Sequence, residues 1–169
     1  MEIATLGAGC FWCIEAILLN LSGIISIEVG YTGGHMYNPT YEMICEGNTG
    51  HAEVAQIKFD NKKITYEELL SIFFKIHDPT TLNRQGNDLG TQYRSCIFYH
   101  NSTQKEIAKK LKNTLQSKFD NKIVTEITAF EKFYIADDYH QNYYINNQNA
   151  PYCNFVIKPK LEDYLNGQK

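Results

Sequence analysis

Two stretches of apolar alternation, residues 25–31 and 51–59, follow one another with no helical periodicity between them. The other strand-like segments alternate with helical ones. That order argues against a purely alternating βαβ chain and asks for some strands to pair directly, as they do in an α+β layer structure. In the first stretch Ile25, Ile27, Val29 and Tyr31 alternate with Ser26, Glu28 and Gly30. In the second, Glu53, Ala55, Ile57 and Phe59 share one face. The expected class is therefore α+β, a mixed sheet with packed helices, a ferredoxin-like split βαβ core and an irregular C-terminal tail.

Around this pair the remaining elements are read from period and punctuation. Residues 1–6 form a short strand that ends in the turn Gly7-Ala8-Gly9. Phe11, Ile14, Ile17, Leu18 and Leu21 recur at helical spacing, which predicts a helix from residue 10 to about 20. Thr32-Gly33-Gly34 opens a long loop with Asn38-Pro39 inside it. Thr65 and Glu68 make a capping box for a helix carrying Leu69, Leu70, Phe73 and Ile76, which Asp78-Pro79 stops. Residues 83–90 are a second long loop, and loops of this length are more often functional than idle. A strand at 93–99 follows. Thr103 with Glu106 caps a helix through Ile107, Leu111 and Leu115, and a strand at 124–130 comes after it. Residues 155–165 fit a helix or a strand.

The chain has 169 residues, with no internal repeat and no Pro/Gly/Ser linker, so the expectation is one domain over 1–169. Its core runs to about 135 and its tail from about 136. A net charge of -3 with no basic arm gives no footprint for nucleic acid or for a membrane surface. The N-terminus lacks the basic start and long apolar run of a secretory signal, and no apolar stretch is long enough to span a bilayer, so a cytoplasmic location is expected. Nothing in the pattern suggests assembly, and a monomer is expected. Five cysteines without a signal peptide do not read as a disulfide scaffold.

The chemistry concentrates in Gly9-Cys10-Phe11-Trp12-Cys13-Ile14-Glu15. A cysteine at a helix N-terminus meets free backbone N–H groups and the positive end of the dipole. Such sites lower a thiol pKa from ~8.5 to roughly 3.5–7.5. Cys10 is thus expected to be an ionised, accessible nucleophile, and Cys13, one turn on, is near enough for a disulfide with local adjustment. Two other readings stand beside this one. In the first, Cys10 and Cys13 hold zinc with His35, Cys45 and His51, although no second Cys-x-x-Cys exists. In the second, both cysteines are inert core residues. Glu53 is either exposed at a strand end or desolvated, with a raised pKa that suits a general acid.

These residues resemble a known family. The N-terminal motif, Gly30-Tyr31-Thr32-Gly33-Gly34, Asn38-Pro39-Thr40-Tyr41 and Thr49-Gly50-His51-Ala52-Glu53 are similar to the signatures of peptide methionine-(S)-S-oxide reductases, the A-type methionine sulfoxide reductases. So are His77-Asp78-Pro79, the run Arg84 to Ser95, and Asp138-Tyr139-His140-Gln141. The matches cover nearly the whole chain in the family's order. The resemblance implies Cys10 as nucleophile and Glu53 as general acid. It also implies Tyr41 and Tyr93 on the sulfoxide oxygen, Asp88 orienting substrate and water, and Phe11 and Trp12 forming an apolar pocket for the S-methyl group.

Cys10 would become a sulfenic acid, resolved by Cys13 or Cys153 to a disulfide that thioredoxin or another thiol reduces. No bound cofactor and no metal are implied. The residue at 13 is often Gly in the family, and the tail lacks the usual Gly-rich stretch with a further cysteine. Both departures leave the resolving residue open between Cys13 and Cys153, with the shorter loop favouring Cys13. Cys96 reads as a packing residue and Cys45 as half-buried, neither with a role. The rival functions are a thioredoxin-like dithiol oxidoreductase, a cysteine hydrolase and a zinc-bearing interaction module.

Overall fold

The computed structural model describes residues 1–167. Its strands are β1 (Glu2–Ala8), β2 (Ile24–Thr32), β3 (Ala52–Phe59), β4 (Arg84–Gln85), β5 (Asp88–Leu89), β6 (Ser95–Tyr99), β7 (Glu126–Ala129) and β8 (Tyr134–Ile135). Its helices are α1 (Phe11–Leu18), α2 (Tyr41–Glu46), α3 (Tyr66–Lys75), α4 (Ser102–Leu115), α5 (Tyr143–Asn146) and α6 (Lys158–Asn166).

Six strands form one sheet in the order β7-β6-β1-β3-β2-β8, while β4 and β5 make a separate two-stranded ribbon. All neighbours in the large sheet run antiparallel except β6 and β7. Within it, β1-α1-β2-β3-α3-β6 places β3 between β1 and β2, and β1 between β3 and β6. This is the split βαβ arrangement expected from two adjacent strands flanked by helical crossovers. The direct pairing of β2 with β3 runs from Ile24 opposite Phe59 to Thr32 opposite Ala52.

The main core lies between the sheet and its helices. Leu6, Ile57 and Phe59 from the strands meet Phe11, Ile14, Leu18, Leu69, Leu70 and Phe73 from α1 and α3, all of them buried. Each such side chain contributes roughly 1.5–3 kcal/mol on leaving water. Ala52, Val54, Cys96 and Phe98 form a second, smaller cluster, closed by Phe130 and Phe133. Cys96 is fully buried there, in keeping with a packing residue.

Several boundaries differ from expectation. Gly7 and Ala8 continue β1, because β6 pairs with them. The long loop after β2 contains α2, a single short helix with only Ile44 buried, which is too little apolar surface to leave a period in the sequence. Thr40 caps it, accepting from the Met43 N–H, and Gly47 ends it in the left-handed region. The cap of α4 is Asn101, not Thr103: its side chain accepts from the Gln104 N–H at 2.9 Å, and Gln104 in turn accepts from the His100 N–H. β6 begins only at Ser95, since Thr91–Tyr93 winds as a 3-10 turn. The open segment at 155–165 is helical, a π-helical turn at Cys153–Ile157 running into α6.

The tail folds back over the first helix, where α5 and α6 both pack against α1. Among the described residues no helix is long and apolar enough to cross a membrane.

Candidate active site

The strand β1 must stop abruptly for α1 to start, and Gly9 allows it with φ +86°. A Cβ there would lie 2.6 Å from the Cβ of Gln85, so glycine also lets the second long loop close over the turn. Gln85 holds that loop in place through its side-chain amide, which accepts from the Asp78 N–H and donates to the Asp78 carbonyl, both at 3.0 Å. Cys10 is the residue immediately before α1, and its carbonyl accepts from the Cys13 N–H at 3.1 Å.

Cys10 is only 7% exposed. Burial pushes its thiol well above the ordinary value. The neighbouring Cys13 and the charge of Glu53 add to the rise, and the Trp12 backbone N–H opposes it without prevailing. The ionised, open thiol expected from the helix start is therefore corrected: desolvation outweighs the helix terminus, and the resting group is a neutral thiol. The Cys13 thiol shifts the other way, lowered first by its neighbour Cys10 and then by the nearby Lys160 charge, against its own burial.

Glu53 sits near the start of β3, 2% exposed, and its Oε1 accepts from the Phe11 N–H at 3.3 Å. Of its two readings the desolvated one holds. Burial pushes the carboxyl up to about 8, despite the Phe11 N–H pulling it down. A free N–H in the first turn of α1 thus faces the carboxyl, and the thiol lies one residue before it.

Tyr41 opens α2 and Tyr93 ends the 3-10 turn. Both are half-buried, and both hydroxyls are held above their usual range by burial, with the charge of Glu53 adding to the rise. Cys45, one helical turn along α2, is close enough to the Tyr41 hydroxyl to add to that rise. Cys45 itself is exposed and not half-buried, because α2 turns only Ile44 inward. Asp88 on β5 accepts from the Tyr152 hydroxyl at 2.8 Å, and that same hydroxyl lies 3.8 Å from the Cys13 sulfur. Phe11 is fully buried, with Trp12 half-buried beside it at a centroid distance of 6.3 Å. Cys153 is buried in its π-helical turn, close enough to Cys13 to feel its charge.

The tail supplies residues that sequence reasoning left without roles. His140 Nδ1 accepts from the Trp12 indole N–H at 3.2 Å, and the Tyr143 ring stacks on Trp12 at 3.7 Å and 9°. Glu15, the last residue of the N-terminal motif, is buried, and its Oε1 accepts from the Asn142 N–H at 2.9 Å. Trp12 is thereby fixed from two sides by the segment after residue 136. The motif Asp138 to Gln141 was the available signal for His140. Tyr143 follows three residues later, but no spacing rule connects either to Trp12.

No cluster of three or more His, Cys, Asp or Glu side chains is placed to hold a metal among the described residues. His51 instead accepts from the Gly34 N–H and bonds the Met36 carbonyl.

A buried thiol and a protonated carboxyl at one helix start, with a second thiol a turn away, define a thiol-based oxidoreductase. The family model for peptide methionine sulfoxide reductase matches residues 2–169, and the chain belongs to that family. It is 54% identical over 165 residues to a peptide methionine sulfoxide reductase MsrA of Saccharolobus solfataricus, covering 98% of this chain and 93% of the relative. Mxr1 of Saccharomyces cerevisiae in reduced form shares the fold at a TM-score of 0.86 and 39% identity, over 90% of this chain and 88% of that one. Mxr1 in complex with Trx2 aligns at a TM-score of 0.61 and 32% identity, over 84% of each chain. The protein is thus an oxidoreductase that reduces methionine sulfoxide with electrons from thiols.

Proposed function

We propose that Cys10 attacks the sulfur of a methionine (S)-sulfoxide while Glu53 protonates its oxygen. The observation that carries this reading is the meeting of Cys10 and Glu53 at the start of α1, the latter through the Phe11 N–H. With Glu53 pushed up to about 8, the proton is in place at neutral pH. Cys10 starts as a thiol that gives up its proton as the sulfur attacks, and a proton returns to Glu53 once the step is complete. The step balances as sulfoxide plus thiol giving sulfide plus sulfenic acid. Tyr41 and Tyr93 donate to the oxygen as its charge grows. Phe11 and Trp12 enclose the methyl group, and Asp88 orients substrate and water.

Cys13 then displaces water from the Cys10 sulfenic acid, and Cys153, buried near Cys13, relays the disulfide. Reduction by a thioredoxin follows, in line with the Mxr1–Trx2 complex. The working unit is a monomer. Core and tail act as one domain over 1–169, because the tail fixes Trp12. A cycle that needs thiols at the site suits a reducing cytoplasm, and the substrates are oxidised methionines in peptides and proteins.

The test is intact mass and disulfide mapping after one turnover on a sulfoxide peptide without reductant. Cys10→Ser should yield no product with the fold intact, and Cys13→Ser should accumulate the Cys10 sulfenic acid or divert it to Cys153. A Cys10→Ser variant that still reduces the peptide overturns the reading.

A further inference from the structure

The register of β2 and β3 sets Tyr31 directly opposite Glu53. Directly paired residues project to the same side of a sheet and lie within side-chain reach of each other. On that side the Tyr31 ring packs against Phe11, with centroids 5.6 Å apart. Tyr31 is 2% exposed, and its hydroxyl has no hydrogen-bond partner among the described residues. Glu53, Tyr139, Tyr41 and Cys45 all lie close enough to act on it electrostatically, so the hydroxyl faces the site.

A buried hydroxyl without an acceptor is costly, and native proteins keep few of them. Phenylalanine would fill the same space against Phe11 without that cost. The acceptor becomes clear when Glu53 is followed through the reaction. As an acid it is neutral, and among the described residues the Phe11 N–H at 3.3 Å is its one hydrogen bond. Once its proton has gone to the sulfoxide oxygen, a carboxylate remains in a buried site with that single donor. Burial keeps the Tyr31 hydroxyl protonated throughout, so it retains a hydrogen to give.

We propose that Tyr31 is a further catalytic residue, whose hydroxyl turns onto the Glu53 carboxylate as that carboxylate forms. The Glu53 proton passes to the sulfoxide oxygen, and the electron pair of its O–H bond stays on the carboxylate. Tyr31 keeps its own proton and is neither oxidised nor reduced. Because the hydrogen bond appears only as charge develops, it lowers the barrier without tightening substrate binding. The inference rests on Glu53 being the acid.

The test compares wild type, Tyr31→Phe, Glu53→Gln and the double variant in single-turnover reduction of a methionine sulfoxide peptide without recycling. The Glu53 carboxyl is titrated by infrared difference spectroscopy, with Glu53→Gln as the blank. Tyr31→Phe should slow the first step roughly ten- to hundredfold with peptide binding unchanged. The double variant should be no slower than Glu53→Gln. Losing a donor to the charged form should raise the midpoint of the Glu53 titration by about one pH unit. Its melting temperature should stay level or rise, which separates lost chemistry from lost packing.

A Tyr31→Phe protein with the wild-type rate would overturn the proposal and leave the hydroxyl an inert orphan. A slowed rate with weakened peptide binding and an unmoved titration would overturn it too, by placing Tyr31 on the substrate. If Glu53→Gln itself is not slow, the reading of Glu53 fails first, and that failure is seen independently of Tyr31.

Discussion

At Cys10 the helix terminus and burial pull the thiol in opposite directions, and burial prevails. The same desolvation that keeps the thiol neutral keeps Glu53 protonated, so the two groups are matched: neither carries charge until substrate arrives. The sign of the pH dependence follows. A carboxyl raised to about 8 is a competent acid below that pH and is spent above it. The single-turnover rate should therefore fall as pH rises through about 8, a limb that Glu53→Gln should lack. Because general acid catalysis contributes typically 10²–10⁴-fold, Glu53→Gln should slow the step by about that much at pH 7 while peptide binding persists. A variant with an unchanged rate at every pH would remove Glu53 from the mechanism.

Among the elements, those with a strong period were legible in the sequence, and those held by tertiary contacts were not. α3 kept its Thr65–Glu68 capping box, because both hydrogen bonds are local. α4 did not keep the expected cap, because Asn101 and Thr103 both satisfy the local rule and only the placement of Gln104 against Ile3 separates them. Asn101→Ala should cost about 1 kcal/mol and lower the melting temperature by about 2–4 °C, whereas Thr103→Ala should be near neutral. Thermal unfolding of the two variants decides it.

α2 escaped notice altogether, although Tyr41 at its start was legible through the motif around it. In the site, Cys10 and Glu53 could be read from local pattern and resemblance. The Trp12–His140 bond joins residues 128 positions apart and could not.

His77 shows how burial at an element boundary becomes a pH dependence. Its ring bonds the Phe73 carbonyl and the Ser95 hydroxyl, and burial pulls it down to about 4. A histidine lowered on folding gives stability that is complete above its unfolded pKa near 6.5 and is lost as pH falls towards 4, roughly 3 kcal/mol in all. Urea unfolding at pH 7 and pH 5 should show about 2 kcal/mol of that loss in the wild type and a smaller one in His77→Gln.

For the whole molecule, the site is finished by the chain's last quarter returning to its first helix. Glu15 is the fastening, since its carboxylate accepts the Asn142 N–H inside the protein. Glu15→Ala leaves that N–H unpaired and should destabilise by about 1–3 kcal/mol. It should also release the segment after residue 136 to protease, because Trp12 loses the footing of its Tyr143 stack. Glu15→Gln keeps an acceptor oxygen and should restore most of both. Limited proteolysis with thermal unfolding checks this, and equal behaviour of the two substitutions would refute it.

The rims of the large sheet are its slightest parts. β7 has four residues at one side and β8 two at the other. β8 covers only Gly30 and Tyr31 of β2, so the outer side of β2 before Val29 has no strand partner among the described residues, while β7 lines β6 from Cys96 to Tyr99.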